Sequence, residues 1–135
     1  MNEVKRRIAA ALFVVVAAGV AACGGDSVTN PAFEPEIVNL PDNFELQATD
    51  ITDVSETLVY TWQNSGTTAA VDRSSVLSGG SGTVTVYDAD GKQVFTSAVT
   101  TDGSSTTDSG VAGAWQIRVV LSDASGTINF RVQKG

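Results

Sequence analysis

The chain has 135 residues, one cysteine and no histidine. Behind a predicted export signal at residues 1–22, the other 113 residues hold 40 Ser, Thr and Gly, and 5 Lys and Arg against 14 Asp and Glu, a formal charge of −9. These figures exclude a multidomain enzyme, a disulfide-stapled scaffold and a polytopic membrane protein, and so few Lys and Arg argue against nucleic acid as a partner.

Lys5-Arg6-Arg7 make a basic start, followed by 15 uncharged apolar or small residues over 8–22. A charged start, a short apolar run and a small-residue end are the parts of a secretory signal. A membrane-spanning helix needs roughly 20 apolar residues, more than this run supplies. Val20-Ala21-Ala22-Cys23 resembles the lipobox of bacterial lipoproteins, an aliphatic residue and two small ones before a cysteine. The resemblance implies cleavage before Cys23, a diacylglycerol on its sulfur and an acyl chain on its new amino group. Cys23 is thus the predicted lipid-attachment residue, with the membrane as partner through that anchor. Two or more chains anchor stably where one binds only marginally. Gly24 stands where an Asp would resemble the inner-membrane retention signal of enteric bacteria, which favours the outer membrane as the location.

Residues 23–41 read as the lipidated cysteine and a flexible tether, set by Gly24, Gly25, Pro31, Pro35 and Pro41. Phe33, Ile37, Val38 and Leu40 leave open that part of it lies on the domain as an edge strand or lid. From residue 42 to 135 the hydrophobic period is two. Phe44, Leu46 and Ala48 alternate with polar residues, as do Leu58, Tyr60 and Trp62, then Val84 and Val86, then Trp115, Ile117, Val119 and Leu121, then Ile128, Phe130 and Val132. Such alternation marks strands with one face on a core and one toward water.

The predicted strands lie near 44–50, 56–64, 69–73, 82–88, 92–99, 114–122 and 126–133. Asn64-Ser65-Gly66, Asp88-Ala89-Asp90-Gly91 and Asp123-Ala124-Ser125-Gly126 read as turns joining neighbouring strands, Ser78 to Gly82 as a flexible break, and 100–110 as the longest exposed loop. The expected fold is all-β, an antiparallel β-sandwich of jelly-roll or immunoglobulin-like type with about seven strands, following a signal helix and tether. The pieces TVTVYDADGKQVF and GAWQIRVVLSDASGTINFRV resemble the later part of bacterial pre-peptidase C-terminal-like β-sandwiches, which implies an accessory, non-catalytic domain.

The residues offer little chemistry. Without histidine the commonest general base and transition-metal ligand are missing, and a lipidated Cys23 is no nucleophile. Gly79-Gly80-Ser81-Gly82 lacks the Lys and helix of a phosphate loop. Asp88-Ala89-Asp90-Gly91 resembles the opening of a calcium loop, but the further oxygen ligands such a loop needs do not follow, so a hairpin turn is expected. Glu34, Glu36, Asp42, Glu45, Asp50, Asp53 and Glu56 read as a solvated acidic face, and Arg73, Arg118 and Arg131 as isolated surface residues. The register puts Trp62 and Trp115 in the core and Tyr87 on a polar face. The expected protein is not an enzyme and needs no cofactor or metal. It is a lipid-anchored envelope protein whose monomeric domain meets an envelope protein or glycan; the alternative is a glycan or small-ligand binding module.

Overall fold

Period-two alternation over 43–64 and again over 113–134 produces the two longest of the described strands. They appear in a computed structural model that describes residues 33–135. The readings of Cys23, the signal peptide and residues 24–32 lie outside the described residues. Among the described residues there is no helix. The strands are β1 (Glu36–Leu40), β2 (Asn43–Asn64), β3 (Ala69–Arg73), β4 (Val76–Tyr87), β5 (Gln93–Ala98), β6 (Gly103–Thr106) and β7 (Gly113–Lys134). All pairings are antiparallel, in the order β1-β2-β7-β3-β6, with β4 joined to both β7 and β5.

The class and strand number are as expected, but the two layers are the halves of one folded sheet. The N-terminal half of β2 and the C-terminal half of β7 belong to a layer with β1, β3 and β6. Their other halves belong to a layer with β4 and β5. The fold lies where the β2–β7 register shifts three times, between Ala48 and Glu56. Bulges of this kind bend a strand sharply without ending it. Phe44 and Tyr60, sixteen residues apart on one strand, consequently meet with ring centroids 5.2 Å apart.

The corner is held by a repeated tripeptide. Asp53-Val54-Ser55 in β2 faces Asp123-Ala124-Ser125 in β7, with Val54 and Ala124 paired and buried. Both aspartates take left-handed backbone, φ 49° and 48°. The Asp53 N–H donates to Ser125 Oγ (2.9 Å) and the Asp123 N–H to Ser55 Oγ (2.8 Å). Each hydroxyl turns back to the other strand's carboxylate, Ser55 to Asp123 Oδ1 at 3.3 Å and Ser125 to Asp53 Oδ1 at 3.5 Å.

Several sequence expectations are corrected here. The segment 123–126 is a bend inside one strand, because its polar groups bond across to β2 instead of closing a hairpin. Residues 78–82 lie inside β4, where Gly80 takes φ +72° against the β7 backbone. The loop 100–110 contains β6, an edge strand that needs only backbone pairing to β3. Asn64-Ser65-Gly66 leads to β3, which pairs with β7 and β6 and not with β2. β1 falls within the segment read as tether, on its alternative reading as an edge strand.

The core lies between the layers. Trp62 and Trp115 are cross-strand partners, fully buried and edge-to-face at 6.0 Å. Their indole N–H groups donate to Leu40 O (3.0 Å) and Val111 O (2.7 Å), so neither buried ring carries an unmet donor. Trp115→Ala should cost about 3–5 kcal/mol in urea unfolding, since it leaves a ring-sized cavity and breaks the aromatic pair. Gly126 has φ +129°, and a Cβ there would lie 2.4 Å from Val76 O. Gly126→Ala should therefore lower stability by about 1–3 kcal/mol in the same measurement, through backbone strain and not through lost apolar contact.

Candidate functional site

The alternation that buries one face of each layer presents the other to solvent, and the two outer faces differ in chemistry. On the β1-β2-β7-β3 face, cross-strand neighbours place Glu45, Arg131 and Asp72 in one row. Arg131 Nε lies 4.0 Å from Glu45, both half-exposed, the kind of pair that adds little stability. On the β2-β7-β4 face the outward positions are Thr57, Val59, Thr61 and Gln63, then Ala114, Gln116, Arg118 and Val120, then Thr83, Thr85 and Tyr87. None is a carboxylate. Val59 and Val120 are 49% and 43% exposed, and the Arg118 guanidinium stands 5.6 Å from the Tyr87 ring centre. Tyr87 is half-buried on this polar face, where its register predicts it.

A hollow of about 350 Å³ opens at one end of this face, between the β4–β5 turn and the start of β7. Tyr87, Asp88, Arg118, Gln116, Ala114, Ala89 and Gly91 line it. Its rim is organised by Asp88, whose side chain is buried. Asp88 Oδ1 accepts the N–H groups of Asp90 (2.9 Å) and Lys92 (2.8 Å), and Oδ2 accepts that of Val111 (2.9 Å). One carboxylate thus shapes the hairpin turn and docks the segment leading into β7. The turn reading of 88–91 is the correct one: both Asp88 oxygens are engaged by backbone donors. No group of three or more metal-ligating side chains occurs among the described residues.

The Val111 N–H, and after it those of Lys92 and Asp90, hold the Asp88 carboxyl below its usual value of 3.8, against the opposing cost of burial. A similar clasp sits at the other flank of β7. Asp42, at φ 67° between β1 and β2, accepts the Ser65 N–H (2.7 Å) and hydroxyl (2.8 Å). These bonds lower its pKa as well. A second hollow of about 320 Å³ lies beside it, near Pro41, Gln63 and Gly113. Its one carboxylate, Asp42, is already bonded to Ser65.

Arg73 departs from the surface placement expected of it. Ala69, Val71 and Arg73 share the inward register of β3, so the sheet carries the guanidinium inside, where the residue is 6% exposed. Its Nη1 donates to Ser97 Oγ and its Nη2 to Ser105 Oγ, each at 2.6 Å, and the group lies over the Phe95 ring at 5.3 Å. Its Nε has no hydrogen-bond partner. This cation ties β3, β5 and β6 together at the open side of the folded sheet, with hydroxyls in place of a counter-charge. The inward spacing from Val71 was the available sequence signal.

No family model matches the chain, and no characterised protein matches it. The acidic residues of the first third stay apart: Glu45 pairs with Arg131, Asp42 with Ser65, and Asp53 is built into the corner.

Because the folded-state pKa of Asp88 is depressed, its contribution is complete above the unfolded pKa near 4 and is lost as pH falls through the lower folded value. Thermal melts of the parent should show Tm falling as pH drops below about 4. Asp88→Asn, with one acceptor oxygen for three donors, should melt lower at neutral pH and show a shallower acid slope.

Proposed function

We propose that the chain is a lipid-anchored protein of the bacterial cell envelope, held at the outer membrane, which displays a small non-catalytic β-sandwich to a protein or other envelope component. The observation that carries this reading is Val20-Ala21-Ala22-Cys23, placed where a basic start and a 15-residue apolar run end. A single cysteine in an exported chain has no intrachain partner, which suits a thiol consumed by lipid. The outer face bearing Tyr87, Arg118, Val59 and Val120 supports an interaction role. Binding surfaces favour aromatic residues and Arg at their centre and are depleted there in carboxylates.

Blocking the thiol should separate anchoring from folding. Cys23→Ala should move the protein from the membrane and detergent-rich fractions to the soluble fraction, leaving the melting curve of the β-domain unchanged. Equal partitioning of parent and variant into detergent would remove the lipoprotein reading.

A further inference from the structure

Beside the 88–91 turn the β2-β7-β4 face becomes concave around Arg118, and the one carboxylate in that hollow, Asp88, is already bonded to three backbone N–H groups. We propose that the hollow binds a carboxylated sugar ring, with Arg118 holding the carboxylate, Gln116 bonding ring hydroxyls, and Tyr87, Ala89 and Ala114 meeting the apolar ring face. The inference rests on reading this domain as a binding module for envelope components, and names the ligand class.

Charge favours Arg118 as the anion-binding group. Residues 33–135 carry five cations against thirteen carboxylates. Arg131 lies against Glu45, Arg73 is buried over Phe95, Lys92 reaches Ser109 O beside Asp88, and Lys134 acts on Asp42. Arg118 is exposed, stands by the Tyr87 ring and makes no ion pair with a described residue. Tyr87 beneath it limits the positions the guanidinium can take, and a preorganised guanidinium binds a carboxylate through two parallel hydrogen bonds.

Shape and backbone favour a small ring over a peptide. A volume of about 350 Å³ is at the small end of ligand pockets and suits roughly one or two sugar rings. β4 is paired on both sides here, by β5 and β7, and β7 by β2 and β4. At Tyr87 and Gln116 neither strand has a free edge, so recognition there falls to side chains. Small residues keep the hollow open: a Cβ at Gly91 would meet nothing within 4 Å. The Asp88 bonds fix the rim before any ligand arrives.

The test is saturation-transfer NMR on the full chain in detergent micelles, with glucuronic acid as probe and glucose and acetate as comparisons. Saturation should pass to the glucuronate ring protons, with glucose and acetate each binding about tenfold more weakly or worse. Arg118→Gln should weaken glucuronate at least about tenfold, the loss expected for a charge-assisted pair, with an unchanged melting curve. Arg118→Lys, which keeps charge without the fork, should fall between. No transfer at millimolar glucuronate, equal binding of glucose, acetate binding as tightly as glucuronate, or an Arg118→Gln variant that binds like the parent would each overturn the proposal. Partitioning of Arg118→Gln into membranes should match the parent, so failure of sugar binding and failure of anchoring read out separately.

Discussion

The molecule depends on the corner at which β2 and β7 bend together. A flat antiparallel sheet of seven strands would leave twenty buried hydrophobic residues on one wet face. Folding the sheet at mid-strand brings the two apolar half-faces together and makes a sandwich core from a single sheet. The bend requires both partner strands to turn at the same place while their backbone groups stay paired. The matching Asp-x-Ser tripeptides meet that requirement reciprocally. Each strand's serine accepts the N–H that the other strand's left-handed aspartate turns out of the ladder. Aspartate tolerates that backbone better than most residues, and Gly126, opposite Ile51, takes the still more extreme φ.

Once bent, the sheet must be closed along its sides, and the two sides are closed by different chemistry. On the β1 side the bonds are local and polar: Asn39 Nδ2 donates to Thr61 O, the Trp62 indole to Leu40 O, and the Asp42 N–H to Gln63 O. On the β6 side a single long side chain does most of the joining, with Arg73 reaching from β3 to hydroxyls on β5 and β6. A buried cation is costly without partners, and its unmet Nε marks this seam as the less fully satisfied of the two. The 108–111 segment adds the Asp108 N–H to Val94 O and the Val111 N–H to Asp88, so the seam does not rest on Arg73 alone.

Much of this was legible in the sequence because period two reports which side of a strand faces inward whatever the strand's partners are. Trp62, Trp115, Ile117 and Phe130 could be placed in the core without knowing the topology. Topology itself was not legible at 49–56 and 122–126, because a hairpin and a mid-strand corner use the same residues. Asp, Ser and Gly supply left-handed backbone and short polar groups in both. The difference is where those groups bond, and that depends on a partner seventy residues away. β6 was hidden for another reason: an edge strand with both faces accessible needs no apolar residue, and Gly103-Ser104-Ser105-Thr106 has none. For the candidate site, Tyr87 on a polar face was readable, but its neighbour Arg118 was not, since that contact depends on the β4–β7 register.

The difference between the two outer faces follows from the same construction. Carboxylates gather on the face that β1 and β3 share with β2 and β7, and in the corner, where Asp50, Asp53 and Asp123 all take positive φ. In the corner they do conformational work, and on the first face they flank Arg131. The opposite face is built from β4, β5 and the remaining halves of β2 and β7, strands rich in Thr, Val and Gln, whose β-branched side chains suit a pleated surface. A domain with so large an excess of negative charge thus has a face whose outward strand positions carry no carboxylate. Arg118 supplies a local attraction there, while the charge elsewhere keeps the domain soluble. Salt screens the distant carboxylates more than a hydrogen-bonded pair at Arg118, so selectivity for an anionic ligand at this face would rest on direct contact and not on long-range steering.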